Sequence, residues 1–338
     1  DVCYYYGDHV PNYAQLKKSD PARLLPGYDY DVATEEVVLT RMGVEDGRIV
    51  LPDGMSYRLL VLQDRTSISP PVLRKIKELV EAGATVLGPK PQTATGLRNF
   101  PRCDEEVRAI ADEVWGPCDA EAVTMHTFGK GRVIWGPTAR EALAADNIPP
   151  DVEFRVAVNG QQQSAATMDW IHRRAGPAEI FFVSSQQASS RTIEALFRVE
   201  GKRPELWDPV TGSRRDADAF SQANGRTAIP LEFPPYGSLF VVFRTPISET
   251  QGGVAKSNAT VFSKAADIAG PWDVSFDPRW GGPEKVVFEK LHDWTKRPEQ
   301  AVRHYSGTAV YRKVFDLPPA TRTQIRTGKR IFLGLGVV

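Results

Sequence analysis

The chain has 338 residues, 41% of them hydrophobic, and its 42 basic and 42 acidic side chains cancel to a formal net charge of zero. That content can bury a sizeable core, which excludes a disordered chain, and the length predicts two or three domains. The charge balance gives no broad basic field for nucleic acid, no apolar run is long enough to span a membrane, and no signal-peptide pattern opens the chain, so neither nucleic acid nor membrane is an expected partner.

Strand and helix signals alternate through the first 150 residues. Val2 to Tyr6 is aromatic-rich and β-prone and is closed by Gly7 and Asp8. A long proline-punctuated loop, residues 9–31, follows, and loops of that length are often functional. Thr34 is placed to cap a helix that carries Glu35 and Glu36 in its first turn and closes at Arg41 and Gly43. Residues 47–52 read as a short strand leading to an Asp53-Gly54 turn. Leu59 to Leu62 is an uninterrupted apolar run, which suits a buried parallel strand. Ser69 then caps a helix whose first turn tolerates Pro70 and Pro71, with Leu73, Ile76, Leu79 and Val80 at helical spacing up to Gly83. Ala84 to Leu87 is the next strand, and strand, loop, helix, strand implies a parallel sheet. A helix from about Asp104 to Trp115, a glycine turn and strand over 128–136, and a helix over Ala139 to Ala145 complete a doubly wound, flavodoxin-like α/β domain, with ligands expected beyond the carboxyl ends of its strands.

From Asp151 the pattern changes to short alternating strands, at 179–185, 192–199, 204–209, 227–233 and 238–243, which predicts an antiparallel sandwich. Residues 248–265 are poor in bulky apolar side chains and suit a linker. Three more β-prone segments, at 270–276, 285–289 and 307–315, begin a second β unit, and the apolar run Ile331 to Leu335 reads as a further strand of it left unpaired. The expected organisation is an α/β domain over 1–150, a sandwich over 151–247, a linker over 248–265 and a partial, truncated sandwich over 266–338. The chain opens at Asp1 directly into a strand and stops within an apolar run, so it is expected to be an internal fragment of a longer protein.

Chemistry-bearing residues are sparse. An amidotransferase needs a nucleophilic Cys on a tight strand-to-helix turn, and Cys3, Cys103 and Cys118 all lie elsewhere. Cys103 and Cys118 are expected to be two ordinary thiols, with a bridge between them as the alternative that the sequence leaves open. A flavin or nucleotide site needs a phosphate loop after the first strand, where this chain reads GDHVPN, and the Gly129-Lys-Gly131 turn is too short to serve. His9, His126, His172, His292 and His304 have no metal-ligand spacing and are expected at the surface or satisfied in the core. No metal or cofactor site, and no catalytic residue, can be assigned. The strongest candidate site is the tail of the long loop, Tyr28, Asp29 and Asp31, where carboxylates beside rings suit sugar hydroxyls and C–H faces. The competing reading is a helix start made negative to suit its dipole. Trp207, Trp272, Trp280 and Trp294 are expected to be core rather than a stacking platform for sugars.

The wording of several segments is more specific. DGRIVLPDGMSYRLLVLQD with SPPVLRKIKELVEAGATVLGPKP resembles the region after the catalytic barrel in the α-L-rhamnosidases of glycoside hydrolase family 106. PELWDPVTG, PLEFPPYGSLFVVFR and GPWDVSFDPRWGGP with YSGTAVYRKVFDLP resemble the β domains that follow, the last being similar to the galactose-binding-type sandwich of β-galactosidase relatives. The resemblance implies a large secreted or periplasmic enzyme acting on rhamnose-containing poly- or oligosaccharides. Its N-terminal (β/α)₈ barrel would carry two carboxylates that hydrolyse with inversion, aided by calcium. The α/β domain resembles a class I amidotransferase-like domain without its nucleophile. On this reading the chain is an accessory portion that supports, and with Tyr28, Asp29 and Asp31 rims, a barrel lying outside it. The alternative is a non-catalytic carbohydrate-binding or assembly module.

Overall fold

The computed structural model describes residues 1–9, 13–158, 161–164, 167–247, 253, 257–259, 263–327 and 331–334. The chain is mostly β-sheet with a few helices and divides into two compact units, Asp1–Ala259 and Thr260–Val338. The first unit opens with β1 (Val2–Tyr5), β2 (Tyr30–Ala33) and α1 (Glu35–Arg41). A small antiparallel sheet follows, β3 (Gly43–Glu45), β4 (Arg48–Val50) and β5 (Ser56–Tyr57). Then come β6 (Leu59–Val61), β7 (Ser67–Ile68), α2 (Pro70–Ala82), β8 (Thr85–Leu87), β9 (Thr93–Ala94), α3 (Arg102–Trp115), β10 (Met125–Phe128), β11 (Gly131–Ile134) and α4 (Ala139–Ala145).

Six of these strands form one sheet in the order β10-β11-β8-β6-β1-β2, parallel throughout except for the β10 edge. Alternation along each strand explains why the sequence runs there are apolar without a break. Cys3, Tyr5, Leu60, Val86 and Val133 pack in the cluster shared with α1, α2 and α3. Val2, Tyr4, Leu59, Val61, Leu87 and Ile134 pack on the opposite face under α4 and the long loop, which contributes Ala22, Leu24 and Tyr28. The later part of that loop, from Ala22 to Tyr28, is therefore a covering layer of the core, whereas Tyr13 and Leu16 are exposed.

Local signals decide the helix ends. Thr34 accepts from the Val37 amide at 3.3 Å, as its cap position predicts. Ser69 does not cap with its side chain; it donates to Glu35 at 2.8 Å and ties the start of α2 to α1. The Gly129-Lys-Gly131 turn joins β10 to β11 against the end of α2. A Cβ on Gly131 would stand 2.3 Å from the Ala84 carbonyl and 2.4 Å from that of Val80, so close packing of backbone explains this glycine.

Ten strands complete the unit: β12 (Val152–Val158), β13 (Gln161–Ser164), β14 (Met168–Ala175), β15 (Ala178–Ser185), β16 (Arg191–Phe197), β17 (Lys202–Trp207), β18 (Arg214–Asp216), β19 (Ser221–Ala223), β20 (Arg226–Phe233) and β21 (Ser238–Pro246). They form two five-stranded antiparallel sheets, β13-β12-β16-β20-β19 and β14-β15-β21-β17-β18. In β15 and β20 every second side chain is buried, and Phe181, Val183, Ile229, Leu231 and Phe233 meet in one core. This sandwich and the α/β layer belong to the same compact unit. Most of the segment read as a linker, 248–265, lies outside the described residues. Within it, Asn258 is buried and holds the Ala219 amide and the carbonyls of Ala219 and Pro230, so this residue is fastened to the sandwich.

The second unit holds β22 (Trp272–Ser275), β23 (Val286–Phe288) and β24 (Val310–Arg312) in a three-stranded antiparallel sheet, with short helices α5 (Gln300–Arg303) and α6 (Pro319–Arg326). Its core is Trp272, Val274, Phe276, Phe288, Val302 and Tyr305. The strand expected from Ile331 to Leu335 is not formed over its described part, 331–334; the remainder lies outside the described residues.

Candidate functional site

Register builds a wide cleft in the first unit. Val2 pairs with Tyr30 and with Leu59 in parallel strands, so the residues just before them, Asp1, Asp29 and Arg58, come out side by side at the amino edge of the sheet. The small sheet adds Arg48, Ser56 and Tyr57, and the sandwich adds Asp151, His172, Arg173, Arg174, Glu179 and Arg198. Together they enclose about 730 Å³. The long loop leaves the carboxyl end of β1 but returns to the amino end of β2, because the two strands are parallel. Its tail, expected at the carboxyl edge, therefore lies at the opposite one.

His172 occupies the centre of a buried charge cluster. Its Nδ1 lies 2.8 Å from Asp151 and its Nε2 2.9 Å from Glu179, while the ring stacks on Phe181 with centroids 3.9 Å apart. Both nitrogens can donate only in the imidazolium. Burial alone would lower its pKa, but the hydrogen bonds and charges of the two carboxylates outweigh burial and raise it. Burial likewise pushes Glu179 upward and is overcome by His172 and by the forked contact of Arg174 at 2.8–2.9 Å, leaving this carboxyl at about 2. Asp151 is lowered in the same way by His172 and Arg198. Both carboxylates are thus held ionised. Neither has the raised pKa that a general acid needs at neutral pH.

The three residues singled out in the sequence fare differently. Tyr28 is 2% exposed, donates its hydroxyl to the Ile148 carbonyl at 2.8 Å and has Arg140 over its ring, so it anchors the loop and offers no face to a sugar. Asp29 lines the cleft but is paired with Lys17 at 3.1 Å; burial raises its pKa despite that lysine. Asp31 is the most open of the three. It accepts from the Tyr57 hydroxyl at 3.0 Å and stands 3.8 Å from Arg173, with 42% of its side chain exposed. Thr34 caps α1, and Glu35 and Glu36 lie in its first turn, where negative charge suits the helix dipole as the competing reading expects.

The carboxyl edge, where ligands were expected, holds a crevice of about 20 Å³ lined by Tyr5, Gly7, Asp8 and Gln63, enough for a water and not for a sugar ring. Cys3, Cys103 and Cys118 are free and buried, and burial pushes the Cys3 thiol up to about 12, far from a nucleophile. Among the described residues no group of His, Cys, Asp and Glu has the arrangement of a metal site. Trp272 is core, as expected, and Trp294 packs edge-on against Phe276. Trp207 lies between Arg214 at 4.2 Å and Arg244 at 5.4 Å, whereas Trp280 is 72% exposed. Sequence reading had placed His172 correctly among satisfied histidines. It missed the partners: Arg174 opposite Glu179 in a hairpin is visible only once the register is known, and Arg48 carried no signal beyond its charge.

A family model described as alpha-L-rhamnosidase matches residues 1–221. The solved rhamnosidase from Novosphingobium sp. PP1Y is similar over 92% of this chain and 28% of its own, at 29% identity and a TM-score of 0.76. A putative beta-glucuronidase from Formosa agariphila is 31% identical over 250 residues, 74% of this chain and 19% of its own length. The chain thus spans less than a third of either relative.

Proposed function

Since this chain belongs to glycoside hydrolase family 106, the α-L-rhamnosidases, we propose that it is an accessory portion of such an enzyme, seated beside a catalytic barrel outside its own residues. The observation that carries this reading is electrostatic. Two buried carboxylates of the cleft, Asp151 and Glu179, are pinned by His172, Arg174 and Arg198 and held ionised, so this pair is not free to act as acid and base on a glycosidic bond. Its substrate is then the parent's poly- or oligosaccharide, containing rhamnose, and the name of the second relative adds uronic acid to the sugars such a parent would meet. The strand order supports a flavodoxin-like layer: counted along the chain, the five parallel strands run 2-1-3-4-5 from the β2 edge. Calcium, if the parent uses it, belongs to the barrel, and a secreted or periplasmic location follows from the same family reading.

Asp31, with Asp29 behind it, is the residue of this chain proposed to meet the substrate, by accepting hydroxyls. The test compares this chain with the full-length parent on a nitrophenyl α-L-rhamnoside. Turnover by the parent and none by the chain is the expected result. Turnover by the chain, lost on mutating a residue within it, would overturn the accessory reading. Binding of a neutral oligosaccharide without any turnover by the parent would favour a non-catalytic carbohydrate-binding or assembly module instead.

A further inference from the structure

We propose that the amino-edge cleft receives the anionic group of an acidic sugar, a uronate carboxylate or a sugar sulfate ester, with Arg48 as the guanidinium that takes it. The inference rests on the glycoside hydrolase reading for the sugar; the anion site rests on the one cleft guanidinium without a carboxylate partner among the described residues, since the charges lining the cleft otherwise balance. Arg198 is engaged by Asp1 and Asp151, Arg58 by Asp1, and Arg174 by both oxygens of Glu179. Arg48 differs: it donates to Ser56 Oγ at 3.2–3.3 Å and to the Ser56 carbonyl at 3.4 Å, and no carboxylate lies within ion-pair distance of it among the described residues. It is half-buried at the cleft wall. Burial first, then the neighbouring Arg58, Arg174 and Arg198, disfavour its charged form. An oxyanion placed against this guanidinium would relieve both penalties, and the planar fork accepts two oxygens of a carboxylate or sulfate at once.

The surroundings suit a ring rather than a bare ion. About 730 Å³ falls within the range of small-molecule sites. The exposed Ser56 hydroxyl and the open side of Asp31 offer a donor and an acceptor for sugar hydroxyls next to the charge.

The test is isothermal titration of the 338-residue chain with methyl glucuronide, glucose 6-sulfate, methyl α-L-rhamnoside and sodium sulfate. At least one anionic sugar should bind about tenfold or more tighter than the neutral rhamnoside, and the two anionic arms tell carboxylate from sulfate ester. Binding should weaken between about 50 and 500 mM salt. Arg48→Gln should abolish the preference, whereas Arg214→Gln, which alters a guanidinium stacked on Trp207, should preserve it. If Arg48→Gln proves unfolded, Arg48→Lys keeps the charge without the fork and should still lose most of the preference. Equal affinity for neutral and anionic sugars, sodium sulfate binding as tightly as either anionic sugar, or an unaltered preference in a folded Arg48 variant would each overturn the site. None of these outcomes depends on hydrolysis by the parent, so failure here is distinct from failure of the accessory reading.

Discussion

Asp151 and His172 meet at 2.8 Å, joining the residue that leads into the first sheet of the sandwich to a strand of the second. The same Asp151 donates its amide to the Gly27 carbonyl at 2.7 Å and receives Arg198, so the contact also fastens the sandwich to the α/β layer. Removing the imidazolium would leave Asp151 and Glu179 buried without their shared cation, and breaking a buried pair from one side costs about 3–5 kcal/mol. Arg174 and Arg198 remain to compensate, which sets the expectation at the lower end. His172→Gln should therefore lower unfolding free energy by about 3 kcal/mol in urea titration. A loss no larger than that of a surface substitution would show that the cluster adds little to stability.

The cluster also fixes the pH dependence. His172 has a folded pKa raised above its ordinary 6.5, so its contribution is complete below 6.5 and disappears as the pH rises through the raised value. Glu179 is held at about 2 against an ordinary 4.5, so its contribution is complete above 4.5 and disappears as the pH falls toward 2. Stability from these two groups is thus greatest between 4.5 and 6.5 and declines on both sides. Urea midpoints across this range should trace that dome, and His172→Gln should flatten its alkaline side. Superimposable profiles for the two proteins would remove His172 as the source.

Tyr28 and Asp31, three residues apart, should part company on mutation. Tyr28→Ala deletes a fully buried ring from beneath the long loop and should cost about 3–5 kcal/mol. Asp31→Ala removes one acceptor from the Tyr57 hydroxyl at a half-exposed position and should cost about 1 kcal/mol. In the full-length parent, Asp31→Ala should mainly raise KM if its contact is equally strong in ground and transition states. Unchanged kinetics would leave Asp31 as a partner of Tyr57 and Arg173 only.

Elements whose pattern is local were legible in the sequence. The continuous apolar run at Leu59, the helical spacing of Leu73, Ile76, Leu79 and Val80, and Thr34 three residues before its amide partner Val37 all have causes within one turn or one strand. The cleft was not legible, because its residues come from positions 1 to 198 and are brought together by parallel register and by the sandwich. The same reason moved the loop tail from one sheet edge to the other. The strands at 161–164 and 168–175 escaped because runs of polar residues, Gln161 to Gln163 and His172 to Arg174, hide any alternation, and only pairing with β12 and β15 reveals them, whereas Val152, Phe154 and Val156 alternate with polar residues in plain view and were legible but passed over.

Asn258 provides the last test, on a segment whose composition reads as a linker. Its amide accepts from the Ala219 amide at 2.8 Å and donates to the Ala219 carbonyl at 2.7 Å and the Pro230 carbonyl at 3.0 Å, with 5% of the residue exposed. A side chain in a plain linker changes stability by about 0.5 kcal/mol or less when truncated. Here truncation leaves one backbone donor and two backbone acceptors without that partner in a buried position. Each such group costs about 1–3 kcal/mol where neither water nor another partner replaces it. Asn258→Ala should therefore cost about 3 kcal/mol, while Ser257→Ala, at the exposed neighbour, should stay within about 0.5 kcal/mol. Equal midpoints for both variants in chemical denaturation would return the segment to the linker its composition describes.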